Sequence, residues 1–244
     1  MTTLFIADLH LDPERPEITR LFGDFVDNEA ARADCLYILG DLFESWVGDD
    51  DPSEAGAFVA AKLAALEASG VPVLFMHGNR DFMLGRDYAA RAGMRILPDP
   101  AVIDLYGKPV LLMHGDLLCT GDVEYQKIRA QVRSPQWREH MLSQPLQARL
   151  AFAHQARAAS QARQGEMKDA GTMETITDAS PEAIEEILRR YGIETLIHGH
   201  THRPAIHDLD IDGRPHQRIV LGDWYEQGSV LRARPDGSFD LASL

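Results

Sequence analysis

The side chains best suited to chemistry are histidines, aspartates and one asparagine that stand at the ends of apolar runs. Asp8 and His10 are two residues apart, and the segment TLIHGHTHRP repeats this spacing with His200 and His202. The full candidate set is Asp8, His10, Asp41, Asn79, His114, His200 and His202. A lone aspartate at such a place is usually a helix cap or a turn former, and a lone histidine is usually a satisfied surface or core group. Seven such residues together predict a metal centre.

The ligand types and their spacing predict the chemistry of this centre. An extended backbone points residues i and i+2 to the same side, so each closely spaced pair is expected to reach one ion. Imidazole mixed with oxygen donors, without thiolates, suits Mn, Fe, Co or Zn. Two carboxylates against two divalent ions leave about +2, an excess that fits a phosphate ester, and two-metal sites provide hydroxide near neutral pH. Phosphoester hydrolysis is therefore the predicted reaction.

Six apolar runs predict the strands that position these side chains. They are LFIA, CLYILG, VPVLFM, KPVLLM, TLI and RIVLG, and polar residues follow each of them. Helical patterns such as PEITRLFGDFVDNEAARA and SEAGAFVAAKLAALEASG lie between the earlier runs, which predicts βαβ units with helices covering a sheet. Such sheets bind ligands at the carboxyl ends of their strands. Turn signals at Asp212-Gly213 and Asp236-Gly237 predict C-terminal hairpins that close the sheet.

The composition is that of a globular protein with one domain. The chain has 244 residues, of which 45% are hydrophobic, and a net charge of -14. This charge repels a nucleic-acid backbone and argues against nucleic acid as a partner. The two cysteines have no partners at metal-ligand spacing and are expected to be reduced thiols. Without a basic n-region or an apolar run of roughly 18 residues, the chain is expected to be neither exported nor membrane-spanning.

Residues 125–168 form a region of different character. They are helical by composition, are interrupted by Pro135 and Pro145, and carry eight basic side chains against Glu139 and Glu166. The segment is therefore +6 in a chain of -14, which leaves -20 for the rest. A solvated helical face is one interpretation, and a cap that attracts an anionic substrate is the other. The predicted metal centre favours the cap.

The order of short motifs resembles that of the calcineurin-like metallophosphoesterases. The motifs are Asp8-Leu9-His10, Gly40-Asp41, Gly78-Asn79-Arg80-Asp81, His114-Gly115-Asp116 and Gly199-His200-Thr201-His202. The resemblance implies an α/β fold, a four-layer α/β/β/α sandwich, in a single domain over residues 1–244 with an inserted helical lid at about 122–170.

The same resemblance implies how the ligands divide between two metal ions. One set is Asp8, His10, Asp41 and His202, and the other is Asp41, Asn79, His114 and His200, with Asp41 as the bridge. His198 falls outside the motifs and is expected to orient a neighbouring ligand or to pack at the strand end.

Longer stretches narrow the resemblance within the family. GDLFESWVGDDDP, HGNRDFMLG, HGDLLCTGDVEYQ and HGHTHRP look like the branch that hydrolyses UDP-2,3-diacylglucosamine, a lipid-linked sugar nucleotide of lipid A biosynthesis. This implies two Mn²⁺ ions, attack of a metal-bound hydroxide on the α-phosphorus, and release of UMP and 2,3-diacylglucosamine 1-phosphate.

Arg80 follows the motif asparagine at a place where many members of the superfamily carry histidine. Arginine stays charged and cannot act as a general acid, which implies a leaving group that needs no proton, such as a sugar 1-phosphate. Arg80 is therefore expected to stabilise charge on the transferring or leaving phosphate, and the alternative is a surface ion pair with Asp81. The catalytic candidates are Asp41, Asn79, Arg80 and His114.

Candidates for substrate binding extend from the metal ligands into the lid. They are Asn79, Arg80, Asp122, Ser160, Gln164, Lys168 and His200. Tyr125 is expected either to stack on uracil or to belong to the lid core. Leu142, Leu146 and Leu150 recur on one predicted helical face, which either packs the lid or lines a groove for two acyl chains.

Peripheral association with the cytoplasmic side of the inner membrane follows as a hypothesis, with no obligate protein partner evident. Basic lid residues such as Arg149, Arg157 and Lys168 are expected to meet phosphate or headgroups there. Two alternatives differ in class. One is a dimetal pyrophosphatase or phosphodiesterase for soluble nucleotides, to which an apolar lid stripe offers nothing. The other is a protein-binding scaffold of the same fold, which the complete ligand set disfavours.

Overall fold

Two β-sheets lie face to face between layers of helices. The structure is a computed structural model that describes residues 1–171 and 176–244, except for the side chain of Gln164. The first sheet has the order β11-β10-β1-β2-β3-β4, in which β1 to β4 are parallel. Its strands are β1 (Thr3–Ile6), β2 (Cys35–Ile38), β3 (Val73–Met76), β4 (Met94–Leu97), β10 (Ser229–Ala233) and β11 (Phe239–Ser243).

The second sheet has the order β5-β6-β7-β9-β8, with β6, β7 and β9 parallel. Its strands are β5 (Ala101–Leu105), β6 (Lys108–Met113), β7 (Thr195–His198), β8 (Ala205–Ile211) and β9 (Arg214–Val220). The helices are α1 (Pro16–Asn28), α2 (Glu54–Ala68), α3 (Arg86–Arg91), α4 (Val123–Val132), α5 (Pro135–Leu142), α6 (Leu146–Asp169) and α7 (Pro181–Tyr191).

Three hydrophobic cores separate the four layers. Successive side chains of a strand point to opposite faces, so Leu4 of β1 packs in the core shared with α1 and α2, whereas Phe5 packs between the two sheets. In β6, Leu112 faces the core between the sheets and Leu111 faces α7, where Leu188 is buried. Both faces of the central strands are covered, which explains why their sequences read as continuous apolar runs.

The predicted fold class is confirmed, and most predicted elements are present. The helix pattern ending at Gly70 is α2, where Ser53 caps the first turn by accepting from Gly56 N at 3.1 Å. Both predicted hairpins form, but one joins β8 to β9 and the other joins β10 to β11, so they extend different sheets rather than closing one. The sequence did not predict β4 and β5, whose residues MRIL and AVIDL alternate apolar with charged or exposed side chains.

The helices α4, α5 and α6 occupy the segment predicted to form the lid. Leu142 ends α5 and Leu146 begins α6, with Pro145 between the two helices. The prediction that both residues share one helical face was therefore wrong, whereas Leu146 and Leu150 do lie on one helix. An aromatic cluster attaches α5 to the rest of the chain, because the Trp137 ring centroid lies 5.9 Å from that of Phe82. Among the described residues, no helix is long and apolar enough to cross a membrane.

Candidate metal centre

The predicted metal ligands lie in the loops that follow the carboxyl ends of β1, β2, β3, β6 and β7. The first two loops run side by side, because Asp8 N donates to Gly40 O at 3.0 Å and His10 N donates to Asp41 O at 2.9 Å. Two groups of side chains converge there, one of Asp8, His10 and His202 and one of Asp41, His114 and His200.

The backbone at most of these ligands is left-handed. Positive φ angles between 50° and 69° occur at Asp8, His10, Asp41, His200 and His202. Because β1 ends at Ile6 and β7 ends at His198, neither closely spaced pair stands on an extended strand, and that prediction was wrong. Left-handed residues other than glycine are costly and collect at functional sites. Here this conformation turns the ligands of each pair toward one point.

Motif glycines allow the loops to approach the carboxylates closely. A Cβ atom at Gly78 would lie 2.1 Å from Asp41 Oδ1, and one at Gly199 would lie 2.3 Å from Asp8 Oδ2. Both distances are far inside van der Waals contact, so any side chain at these positions would displace a ligand. The glycines beside Asn79 and His200 are therefore required by the geometry of the centre.

In the first group, three atoms that can bind a cation face one another. His10 Nε2 lies 3.4 Å from His202 Nε2, and His202 Nε2 lies 3.5 Å from Asp8 Oδ1. Asp8 Oδ1 is buried without a hydrogen-bond partner in the part of the chain that the structure describes, although Asp8 Oδ2 accepts from His200 N at 2.8 Å. A buried oxygen without a donor beside two imidazole nitrogens is the arrangement that a divalent ion satisfies.

The second group is built around the side-chain oxygen of Asn79. Asn79 Oδ1 lies 2.9 Å from His114 Nε2 and 2.9 Å from His200 Nδ1. His114 Nδ1 lies 2.8 Å from Leu39 O and donates to it, which leaves Nε2 as the ligand atom. Asp41 Oδ2 is 3.8 Å from His114 Nε2 and also 3.8 Å from His10 Nε2. One oxygen of Asp41 therefore lies between the two groups.

The electrostatics of the pocket favour cations. Burial alone would lower the pKa of His114, but the carboxylates of Asp41, Asp116 and Asp8 raise it to about 9. His200 is affected differently, because burial and the neighbouring His114 lower its pKa to about 4. The potential that holds a proton on His114 also attracts a metal ion, which would displace that proton.

Acids that were not predicted from the sequence as part of the site surround the ligands. Glu44 Oε2 lies 2.9 Å from His10 Nδ1, and Asp223 Oδ2 lies 3.4 Å from His202 Nδ1. Asp116 accepts from the Tyr125 hydroxyl at 2.6 Å, and the Tyr125 ring stacks near His200 with centroids 6.1 Å apart. Asp116 was visible within its HGD motif, but the sequence has no signal that separates Glu44 from a surface acid.

Arginines of the lid segment pair with these acids and with nearby loops. Arg129 Nε donates to Asp116 at 2.7 Å, and Arg133 donates to Gly78 O at 2.8 Å. Arg149 is only 3% exposed and donates to Val47 O at 2.6 Å, so its predicted contact with membrane headgroups was wrong. Much of the positive charge of the segment is therefore used to hold it on the acidic body.

Arg80 and Asp81 are neighbours in the sequence but have different partners. Asp81 is buried and accepts from Leu42 N at 2.7 Å and Gly78 N at 2.8 Å, whereas the ion-pair contact of Arg80 is with Glu44 at 4.0 Å. The alternative of an Arg80–Asp81 surface pair is therefore excluded.

The predicted substrate contacts within residues 122–170 lie at the start of α4 and along α6. Asp122 caps α4 by accepting from Tyr125 N at 2.9 Å, and it also accepts from Arg163 at 2.5 Å. Ser160 is half-buried and Lys168 is exposed. The side chain of Gln164 lies outside what the structure describes.

His198 forms hydrogen bonds with a backbone oxygen and with an arginine. Its Nδ1 donates to Gly199 O at 2.8 Å and its Nε2 accepts from Arg218 at 2.9 Å. Burial, followed by the charge of Arg218, lowers the pKa of His198 to about 3, so the ring is neutral. The burial of His198 agrees with the predicted packing at the strand end, and its role in orienting a neighbouring ligand stays a prediction.

A family model for calcineurin-like phosphoesterases matches residues 1–204, and the chain belongs to this family. The resemblance seen in the motifs is thus confirmed, and with the two ligand groups it indicates a centre for two metal ions. The chain is 64% identical to a UDP-2,3-diacylglucosamine hydrolase of Stenotrophomonas maltophilia (strain K279a) over 239 residues, 97% of this chain and 96% of that protein. A UDP-2,3-diacylglucosamine hydrolase of Xanthomonas axonopodis pv. citri (strain 306) is 62% identical over 240 residues, 98% of this chain and 97% of that protein.

Proposed function

We propose that this protein hydrolyses the pyrophosphate bond of UDP-2,3-diacylglucosamine, giving UMP and 2,3-diacylglucosamine 1-phosphate in lipid A biosynthesis. The observation that carries the proposal is a complete two-group ligand set in a chain 64% identical, over 97% of its length, to a hydrolase of that name. The ligand set also disfavours a protein-binding scaffold.

The donor atoms fit two divalent ions, and we take these to be Mn²⁺. One ion would be held by Asp8, His10 and His202, and the other by Asn79, His114 and His200. Asp41 would bind both ions. When bound, such ions lower the pKa of a water molecule and neutralise charge on the phosphates. The distance of 3.8 Å from Asp41 Oδ2 to a ring nitrogen of each group supports the bridging role.

Arg80 acts on the leaving side of the reaction. Its backbone N donates to Asp41 Oδ1 at 2.8 Å, which ties the residue to the centre of the ligand set. Its Nε atom is buried and has no hydrogen-bond partner within residues 1–171 and 176–244, so an anionic oxygen would satisfy it. A guanidinium stabilises the charge that develops on a departing sugar 1-phosphate and provides no proton, which suits a leaving group that is already a stable anion.

The lid helices α4 to α6 would cover the substrate, with Asp122, Ser160, Gln164 and Lys168 as candidate contacts. Tyr125 donates its hydroxyl to Asp116, and its ring lies beside that of His200. This position favours a role for the Tyr125 ring in lining the substrate site. Peripheral binding at the cytoplasmic face of the inner membrane belongs to the same proposal, since the substrate carries two acyl chains.

The experiment is a comparison of turnover with Mn²⁺ present. The substrates are UDP-2,3-diacylglucosamine, UDP-glucosamine without acyl chains, and bis(p-nitrophenyl) phosphate. We expect the diacylated substrate to be hydrolysed far faster than the other two, with UMP as a product. Equal rates on both sugar nucleotides would favour a pyrophosphatase for soluble nucleotides instead. The Arg80→Ala variant should lose turnover while its Mn²⁺ content stays at the wild-type level.

A further inference from the structure

Glu44 is a buried acid, 5% exposed, whose place beside the metal centre is fixed by the backbone. Leu11 N donates to Leu42 O at 3.0 Å, and Glu44 N donates to Leu11 O at 3.1 Å. These bonds extend the pairing of β1 and β2 into the loops that carry the ligands. Glu44 therefore stands next to the loop of His10 whatever its own side chain does.

The two oxygens of Glu44 face in different directions. Oε2 lies 2.9 Å from Nδ1 of His10 but off the line of the N–H bond, and neither atom has a hydrogen-bond partner among the described residues. The other ring nitrogen of His10, Nε2, faces His202 and Asp41. A small rotation of the carboxylate that brings Oε2 onto the line of the N–H bond would form this hydrogen bond and leave Nε2 as the ligand atom.

The second oxygen contacts the lid. Glu44 Oε1 lies 3.4 Å from Nε of Arg157 on α6, and Arg157 Nη1 lies 3.3 Å from Asp12 Oδ2. Arg80 also approaches Glu44 Oε1, at 4.0 Å. One carboxylate therefore joins the imidazole of a metal ligand to an arginine of the lid, with a single side chain between them.

We propose that Glu44 is a positioning residue that orients His10 for its metal ion, and that Arg157 transmits the placement of the lid to that ligand through Glu44. Carboxylates that accept the second N–H of a ligating histidine fix its tautomer and raise its basicity, and their loss typically weakens metal affinity by 10- to 100-fold. The inference rests on the proposed metal centre, but neither Glu44 nor Arg157 belongs to the ligand set of that centre.

The test is a Mn²⁺ titration of the full chain. Binding is monitored by calorimetry and by the electron paramagnetic resonance signal of free Mn²⁺. In Glu44→Ala we expect one of two ions to bind about 10- to 100-fold more weakly while the other keeps its affinity. Glu44→Gln keeps the length and an acceptor oxygen, so it should retain part of the lost affinity. Glu124→Gln, which removes an exposed acid paired with Lys127, is the matched control and should bind as wild type.

Coupling to the lid is measured by a double-mutant cycle. Arg157→Ala should weaken the same ion by at least about twofold in the wild-type background and should have no further effect in Glu44→Ala. Asp12→Asn removes the negative charge of another partner of Arg157 without changing Glu44, and it should reproduce part of the effect of Arg157→Ala.

Two results would overturn the inference. The first is wild-type affinity for both ions in Glu44→Ala and Glu44→Gln, and the second is additive effects of the Glu44 and Arg157 changes. Circular dichroism of each variant without metal establishes that it is folded. Because these readouts need no substrate, failure of the lipid substrate to turn over would count against the proposed function alone.

Discussion

The burial of Arg149 leads to a prediction that separates its structural role from a role at the membrane. The guanidinium donates to Val47 O at 2.6 Å, to Gln144 O at 3.0 Å and to the Asp50 carboxylate. Replacing it by methionine keeps much of the side-chain length and removes all of these bonds. Helices α5 and α6 should then separate more often from the loop that contains Val47.

The size of the effect follows from the burial of each partner. Val47 is 4% exposed, and a buried carbonyl without a donor costs about 1–3 kcal/mol. The Asp50 side chain is 62% exposed, so its ion pair contributes at most about 1 kcal/mol. The total of about 1–4 kcal/mol corresponds to an opening equilibrium increased by about 5- to 900-fold.

Hydrogen–deuterium exchange of the amides in residues 135–169 measures this opening directly. Lys168→Met, the same kind of change at an exposed position of α6, is the matched control and should leave exchange unchanged. If Arg149→Met exchanged like wild type but lost binding to anionic vesicles, the structural reasoning would be refuted and the role at the membrane surface restored.

Three further predictions concern the centre and its supports. Asp41→Ala should abolish turnover and reduce the Mn²⁺ content below two ions per chain, and near-normal activity would exclude a bridging role. Gly78→Ala should lower both activity and stability because its Cβ would lie 2.1 Å from Asp41 Oδ1, whereas Gly165→Ala in α6 has open space and should stabilise by about 0.5–1 kcal/mol in urea unfolding. The pKa of His198 is about 3 when folded and 6.5 as its ordinary value, so unfolding takes up a proton between these pH values and stability falls as the pH drops through that window. The pH dependence of unfolding should be shallower in His198→Gln, and an unchanged slope would contradict a neutral buried ring.

The metal ligands were predictable because each follows a continuous apolar run, and such runs identify the central strands of a covered sheet. The backbone that aims them was not predictable in the same way. A left-handed φ at His10 or His202 depends on how neighbouring loops fill the space, and a periodicity argument assumes the regular strand that is absent there. β4 was missed for a related reason, since four residues with an arginine among them carry too little pattern.

Residues that act through other residues were even harder to predict from the sequence. Glu44 is one of many acids in a chain of net charge -14, and only the pairing of two loops places it beside His10. Arg149 looks like a member of a basic surface until Val47 and Asp50 are seen around it. Contacts between distant parts of the chain decide such roles, and composition does not contain them.

The positive charge of residues 125–168 therefore serves ion pairing with the rest of the chain more than attraction of an anionic substrate. Arg129, Arg133, Arg149, Arg157 and Arg163 all lie within ion-pair distance of acids. Charge that is paired in this way attracts a phosphate only weakly, because each acid cancels much of the field of its arginine. The attraction for a pyrophosphate must then come mainly from the metal ions, so chelation of the metal should weaken binding of UMP as well as stop hydrolysis. Equilibrium dialysis with UMP, with and without a chelator, measures this, and equal binding in both conditions would return the role to the lid arginines.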